Sequence, residues 1–264
     1  MLDPRTGQVL SPAVVLIENG KIKEVGSPTQ VQAHAPGAKT LDLGSSTLLP
    51  GLIDSHTHLL LDIIVPPEAE IARHFNGEFA PGLLLAVVES PTKRVLLGAQ
   101  MAREDLESGF TTVRNLGHSG IDGDAALRDA INAGRVPGPR ILASGRKLIA
   151  LDSYLQSLNP AVAQSIVEEE FLPIDSPDRA RQAVLQNVFY NVDLIKVTVG
   201  DGISPLELMA VVEEAHREHL KVAVHAIDTA SIQTAIDAGA DSIEHGNQVT
   251  DEQRRCTIKA SFSI

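Results

Sequence analysis

The chain has no tryptophan, a single cysteine, and aromatic side chains at only 3% of its 264 positions. A core without large rings must be filled by Val, Leu, Ile and Ala, the residues of buried parallel strands and their covering helices. One cysteine, Cys256, rules out an internal disulfide and a cysteine-rich zinc site. Positive charge is also scarce. There are 22 Lys and Arg against 34 Asp and Glu, a net charge of −12, and the basic residues do not cluster. Binding to nucleic acid needs a basic stripe, so no nucleic-acid partner is expected, and no anionic membrane surface for the same reason. No apolar run approaches the ~18 residues of a membrane span. The opening MLDPRTGQVL has no charged region followed by an apolar one, so it is no secretory signal. A cytoplasmic location is expected; export stays open should the natural chain begin upstream.

What remains is ordinary soluble-protein material, 43% hydrophobic and 21% charged, long enough for one large domain with a small appendage. In VVLIENGKIKEVG (14–26) two β-prone runs flank Asn19-Gly20, a strong hairpin signal. A strand-like stretch, TLDLGSSTLLPG, ends at Pro50-Gly51. Residues 1–48 read as a small β module, too small to bury a good core alone.

From residue 49 short apolar strands alternate with amphipathic helices. The strands are LIDSHTH (52–58), TTVRNLG (111–117), RILASG (140–145), LIKVTVG (194–200), KVAVHAI (221–227) and DSIEHG (241–246). Ser204-Pro205-Leu206-Glu207 and Thr250-Asp251-Glu252-Gln253 are capping boxes that open helices. Gly109, Gly134 and Gly239 close helices ahead of the next strand. This alternation predicts an α/β fold with a parallel sheet and right-handed crossovers. Two stretches, 59–92 and 146–175, read as long connections leaving the C-terminal ends of strands, where a (β/α) barrel holds its active site.

Four of these strands carry an ionisable residue near the C-terminal end. His56 and His58 are two apart and share a side. Lys196 faces away from Ile195, Val197 and Val199, which point to covering helices. His225 ends KVAVH and His245 ends DSIEH, and common strand parity puts the set in one cavity. Burying imidazoles beside an ammonium is costly unless a divalent metal compensates. Carboxylation of the Lys196 amine by carbon dioxide would turn the odd cation into an anionic ligand able to bridge two metals, although spacing alone does not give that. The competing readings are core histidines for the HxH pair and a Schiff-base lysine of an aldolase barrel for Lys196; the other histidines weigh against both. His216 and His219 sit on the polar end of a helix and read as solvated. His34, His74 and His118 read as loop or strand-end residues, with an ordinary surface role preferred for His118. Asp201 and Gly202 follow the lysine strand at the rim of the site.

PGLIDSHTHL resembles the first-strand signature of the amidohydrolase superfamily. LIKVTVGDG, VAVHAIDTASIQTAIDAG and ADSIEHG match later pieces in order. With the NGKI–VG hairpin and LLPG, the chain looks most similar to the branch of imidazolonepropionase-like enzymes and Xaa-Pro dipeptidases. The resemblance implies a metal-dependent hydrolase (β/α)8-type barrel with a small β-sandwich. Here the barrel is expected over 49–264 and incomplete, with about six strands, and part of the sandwich over 1–48. It implies that His56 and His58 bind one metal, His225 and His245 a second, and carboxylated Lys196 bridges them, zinc being the expected ion. Lys196 and His245 are the residues expected to act in catalysis. The implied reaction is cleavage of a C–N bond in a small amide or dipeptide by metal-activated water. A cyclic amide of the imidazolone type is the alternative, disfavoured by Lys196, because the members compared use one metal without a bridging lysine. The family's aspartate on strand eight has no counterpart, and Asp251, in a helix cap, is not promoted to its role. The final RRCTIKASFSI loses helical pattern. A truncated relative that binds metal without turnover is therefore the second expectation. Whether the chain forms a homo-oligomer is left open.

Overall fold

The computed structural model describes residues 1–61, 89–150, 159–200 and 202–259. The chain divides into two compact units, Met1–Gly51 and Leu52–Ile264.

In the first unit, β1 (Val14–Glu18) and β2 (Lys21–Gly26) pair antiparallel. Asn19 and Gly20 form the turn at φ 53° and 74°, the left-handed pair that suits the twist of a two-residue hairpin. Ser27 then caps α1 (Pro28–His34), a helix that the reading as a β module did not anticipate. The stretch TLDLGSSTLLPG is not a strand. Extended backbone becomes a strand only when a neighbour takes up its N–H and C=O groups. Here the one ladder-like contact is Leu2 N–H to the Leu48 carbonyl at 3.1 Å, and Leu41, Leu43, Leu48 and Leu49 stay exposed.

The second unit is a parallel α/β structure. A three-stranded sheet holds β3 (Leu52–Thr57), β4 (Phe110–Asn115) and β5 (Arg140–Ala143), in that order. A five-stranded sheet runs β10 (Ser242–His245), β9 (Lys221–Ala226), β8 (Leu194–Thr198), β6 (Lys147–Ala150), β7 (Phe171–Ile174). The strands β5 and β6 are one run in sequence. It breaks at Ser144–Arg146, where Gly145 takes φ 64°, and changes sheet there. With that run taken as a single stave, the staves are the six expected. The strand β7 is additional, and with β6 it falls in 146–175, the stretch expected to be a connection. Residues 62–88 and 151–158, most of one expected connection and part of the other, lie outside the described residues, as do His74 and Asp201.

Helices α2 (Pro91–Glu107), α3 (Gly123–Asn132), α4 (Pro160–Glu170), α5 (Pro177–Phe189), α6 (Pro205–Arg217), α7 (Thr229–Asp237) and α8 (Asp251–Lys259) follow or separate the strands. Gly109, Gly134 and Gly239 each sit one residue past a helix C-cap at positive φ, where a side chain would be strained. Both capping boxes form. Ser204 Oγ accepts from Glu207 N–H at 3.3 Å while Ser204 N–H donates to Glu207 at 2.7 Å; Thr250 and Gln253 repeat the exchange.

One face of the five-stranded sheet presents Ile195, Val197, Val199, Val222, Val224 and Ala226 to Leu208, Val211, Ala215, Ile232 and Ala235 of the helices, all buried. Each Val or Ile buried this way contributes about 1.5–3 kcal/mol. A second core, around Leu59, Leu60, Ala102, Val113, Leu127 and Ile141, backs the three-stranded sheet. With one face of each strand committed to these cores, the alternate residues must face the other way. No helix among the described residues is long and apolar enough to cross a membrane.

Candidate functional site

Register determines what shares that other face. In a parallel pair, partnered residues point the same way. Lys196 and Ser242 both partner Ala223, forming one layer; Thr198 and Glu244 both partner His225, forming the next. Lys196, Thr198, His225, Ser242 and Glu244 therefore share the inner face. His245 partners Ala226, whose side chain belongs to the outer core, so parity would send it outward. It reaches the site differently. Its φ is 71°, and Gly246 N–H closes a three-residue turn onto the Glu244 carbonyl at 3.0 Å. The expectation that parity alone gathers the four histidines fails for this one, because strand geometry ends at the residue itself.

The rings form a contiguous chain. Centroids are 5.3 Å apart for His58 and His56, 4.8 Å for His56 and His245, and 4.4 Å for His245 and His225. His118 extends the row, 5.0 Å from His58. It is buried, not a surface residue, and lies at φ 59° in the loop three residues after β4. A cavity of about 540 Å³ opens beside the row, lined among others by His56, Arg114, Glu244 and His245. His216, paired with Asp241 at 2.7 Å, and His34, paired with Glu24 at 3.0 Å, are exposed and elsewhere. Asp251 is exposed in the first turn of α8.

Lys196 is 1% exposed, and its Nζ has no hydrogen-bond partner among the described residues. Burial lowers its pKa to about 7, with Lys147 and Arg114 pushing the same way and Glu244 opposing. Burial, then Lys147, also holds His58 at about 3, and burial with Lys196 does the same for His225. These imidazoles are neutral at physiological pH and carry a lone pair. The Gly117 carbonyl can only accept, so His58 donates from Nδ1 at 3.3 Å and its Nε2 is bare. Among the described residues, no three His, Cys, Asp or Glu side chains are already closed into a metal cage. The candidate donors are gathered instead as a row of touching rings, with Lys196 and Glu244 on the same inner sheet face as His225.

Three charged residues at the site escaped the sequence reading: Arg114, Lys147 and Glu244. Glu244 is buried, and its carboxylate accepts from Arg114 Nη2 at 2.5 Å and Ser242 Oγ at 2.8 Å and meets His56 Nδ1 at 2.9 Å. Burial opposes its ionisation, but His56 and Arg114 outweigh that and bring its pKa to about 2. Lys147 Nζ donates to His118 Nε2 at 3.1 Å and lies 5.4 Å from the centre of the Phe171 ring. The signal was partial: Arg114 and Glu244 are charges within the short strands FTTVRN and SIEH, and Lys147 opens KLIA.

The amidohydrolase family model matches residues 47–260. The chain belongs to the amidohydrolase family. It is 27% identical to ochratoxinase of Aspergillus niger over 282 aligned positions, which cover 96% of the chain and 54% of the ochratoxinase. The chain thus spans about half the length of that relative. The ochratoxinase crystal structure superposes with a TM-score of 0.79 at 24% identity, over 99% of this chain and 62% of that one. A Xaa-Pro dipeptidase structure with bound methionine gives 0.68 at 26% identity, over 97% and 62%. An imidazolonepropionase of Pyrobaculum arsenaticum is 31% identical over 131 residues, 46% of this chain and 33% of its own. These amidohydrolase relatives are hydrolases, and the family generally uses divalent metals.

Proposed function

We propose that this chain carries a two-zinc centre that hydrolyses the C–N bond of a small amide or dipeptide. One observation carries the reading: a fully buried lysine amine, without a hydrogen-bond partner among the described residues, at a site that also holds a row of touching imidazoles. An ammonium left so would cost several kcal/mol. With its pKa near 7, a large share of Lys196 is free amine at neutral pH. That amine can add to carbon dioxide, the nitrogen lone pair attacking carbon and one N–H proton leaving, to give an anionic carbamate. His56 and His58 would then hold one ion, His225 and His245 the other, with the Lys196 carbamate bridging. Imidazole nitrogens with one anionic oxygen suit zinc. When bound, zinc supplies Lewis acidity, acidifying water and polarising a carbonyl. Lys196 and His245 are the residues this reading places nearest the reacting atoms. A cyclic amide is the second reading, supported by the imidazolonepropionase match and weakened by Lys196.

The test is metal content of the purified chain against Lys196→Ala, with ¹³C-bicarbonate labelling to detect the carbamate and a dipeptide panel for turnover. The expected result is zinc retained by the wild type, a carbamate signal, and loss of both in the variant, partly restored by short carboxylic acids. Equal zinc in both proteins with no carbamate signal would refute the bridging lysine.

A further inference from the structure

Among the described residues, His56 is the histidine of the row with a ring nitrogen at hydrogen-bond distance from a carboxylate, whereas His118 Nδ1 stands 3.9 Å from Glu170. His56 Nδ1 lies 2.9 Å from Glu244 Oε2. That oxygen comes from the other sheet: β3, which carries His56, belongs to the three-stranded sheet, and β10, which carries Glu244, is an edge strand of the five-stranded one. The carboxylate is itself fixed. Its other oxygen accepts from Arg114 Nη2 at 2.5 Å and from Ser242 Oγ at 2.8 Å. Arg114 is held in turn by the Ser55 carbonyl at 2.6 Å and by Ser242 Oγ at 3.1 Å. Ser242 Oγ therefore accepts from the guanidinium and donates to the carboxylate, so both of its hydrogen-bonding roles are used. Glu244 is buried, and Oε2 is left facing His56.

A carboxylate flanked by a guanidinium and a hydroxyl donor is an acceptor only, so the proton between it and His56 belongs to the imidazole. We infer that Glu244 is a positioning residue: with Arg114 and Ser242 it holds His56 with its proton on Nδ1, leaving the Nε2 lone pair bare toward the site. This rests on the proposed metal centre, because Nε2 is the nitrogen a divalent cation would take. It goes beyond that reading in assigning the set of residues that orients the ligand. His58 reaches the same state by donating to the Gly117 carbonyl, so the two histidines of the HxH pair are prepared by different partners. The Arg114–Ser242–Glu244 group could instead be a clamp between two sheets with no effect on His56, and the test must separate the two roles.

Long-range ¹H–¹⁵N NMR of the metal-free 264-residue chain at pH 8 reads the His56 tautomer directly. The expected spectrum has His56 protonated at Nδ1 only. Protonation at Nε2, at both nitrogens, or an even mixture overturns the inference without need of any variant. Glu244→Ala should abolish the single tautomer and weaken zinc binding, followed by calorimetry and by the His56 Nε2 shift, by about 10–100-fold. Glu244→Gln keeps one acceptor oxygen, which the Arg114 and Ser242 donors claim, so its NH2 faces His56 Nδ1 and should move the ring proton to Nε2 and weaken zinc binding while the contact to Arg114 remains. A Glu244→Gln variant with the wild-type tautomer and zinc affinity, or a Glu244→Ala variant that binds zinc as tightly as the wild type, overturns the inference alone. A wild-type chain that takes up no zinc removes the metal reading beneath it, and that failure is seen before any variant is made.

Discussion

Truncation of Arg94 to alanine tests how the loop behind the histidine row is held. Arg94 lies on α2, 1% exposed, against Glu170 at the end of α4, which is wholly buried. Its Nη1 binds a Glu170 carboxylate oxygen, its Nε donates to the Leu60 carbonyl at 3.2 Å, and its Nη2 donates to the His118 carbonyl at 2.7 Å. Gly120 N–H adds a bond to the same carboxylate oxygen at 3.1 Å. The guanidinium thus ties two strand-end loops, after β3 and after β4, to one buried charge. Removing one partner of a buried pair leaves the other desolvated and uncompensated, at a cost of about 3–5 kcal/mol. In a chain of this size each kcal/mol moves Tm by about 2–4 °C, so Arg94→Ala should lower Tm by about 6–20 °C. Circular dichroism melting, with urea midpoints at 25 °C, measures it. The double variant Arg94→Met, Glu170→Met removes both charges and keeps the volume. It should lose less than Arg94→Ala, though not nothing, because two carbonyls still lack their donor. A Tm within ~2 °C of wild type for Arg94→Ala, or a double variant no more stable than the single, would show that the charge is hydrated in solution and the reasoning wrong.

Three further outcomes follow from the same structure. Asp241→Ala should cost about 1.5–3 kcal/mol, because the carboxylate accepts from Val222 N–H at 2.9 Å and meets Lys221 and His216. Burial raises the Asp241 pKa, but those partners outweigh it and hold it below 3.8, so its contribution is fully present above that value and lost as pH falls through the lower, folded value. Urea midpoints of variant and wild type should therefore differ at pH 6 and converge in strong acid, and a gap that does not shrink there counts against the ionic origin. Ser204→Ala removes the side-chain half of the capping box and should cost about 0.5–2 kcal/mol by the same measurement; a neutral result would mean the Pro205 start alone holds α6. Gly145→Ala should cost at least about 1–2 kcal/mol, since φ is 64° and an added Cβ would stand 2.9 Å from Val192 Cγ1, and a variant as stable as the wild type would show that the break between β5 and β6 is not tightly fixed.

Where the chain announces its geometry locally, the sequence was legible. Asn19-Gly20 forces the hairpin, the two capping boxes start helices at Ser204 and Thr250, and three glycines end helices where a left-handed residue is needed. The strand β7 gave no such signal. Phe171 is at once the C-cap of α4 and the first residue of the strand, so no Gly or Asn separates helix from strand, and Pro173 inside FLPI argues against pairing. The strand β6 is four residues long and begins with a charge, and a run that short has no periodicity to read. In 40–51 the error ran the other way: alternating Leu and polar residues resemble a strand, but alternation says nothing about whether a partner is adjacent.

The site divides along the same line. Residue types were sufficient to nominate His56, His58, Lys196, His225 and His245, and the register places Lys196 and His225 on one face as alternation requires. Alternation holds only while φ stays extended. At His245 and His118 the backbone enters the left-handed region, a conformation that costs a non-glycine residue about 1–3 kcal/mol and persists only when neighbours over-determine it. At His245 those neighbours are visible: Gly246 N–H is bound by both the Ala226 and Glu244 carbonyls, at 3.1 and 3.0 Å. The same turn that rotates His245 inward leaves Glu244 at the last position of regular parity, facing His56. A strand that ended one residue later in extended geometry would keep Glu244 inside and send the histidine out to the helices. Bringing both adjacent residues into one cavity requires the strained turn between them, so the position where the parity rule fails is the position that lets β10 supply both a histidine and the carboxylate that orients another.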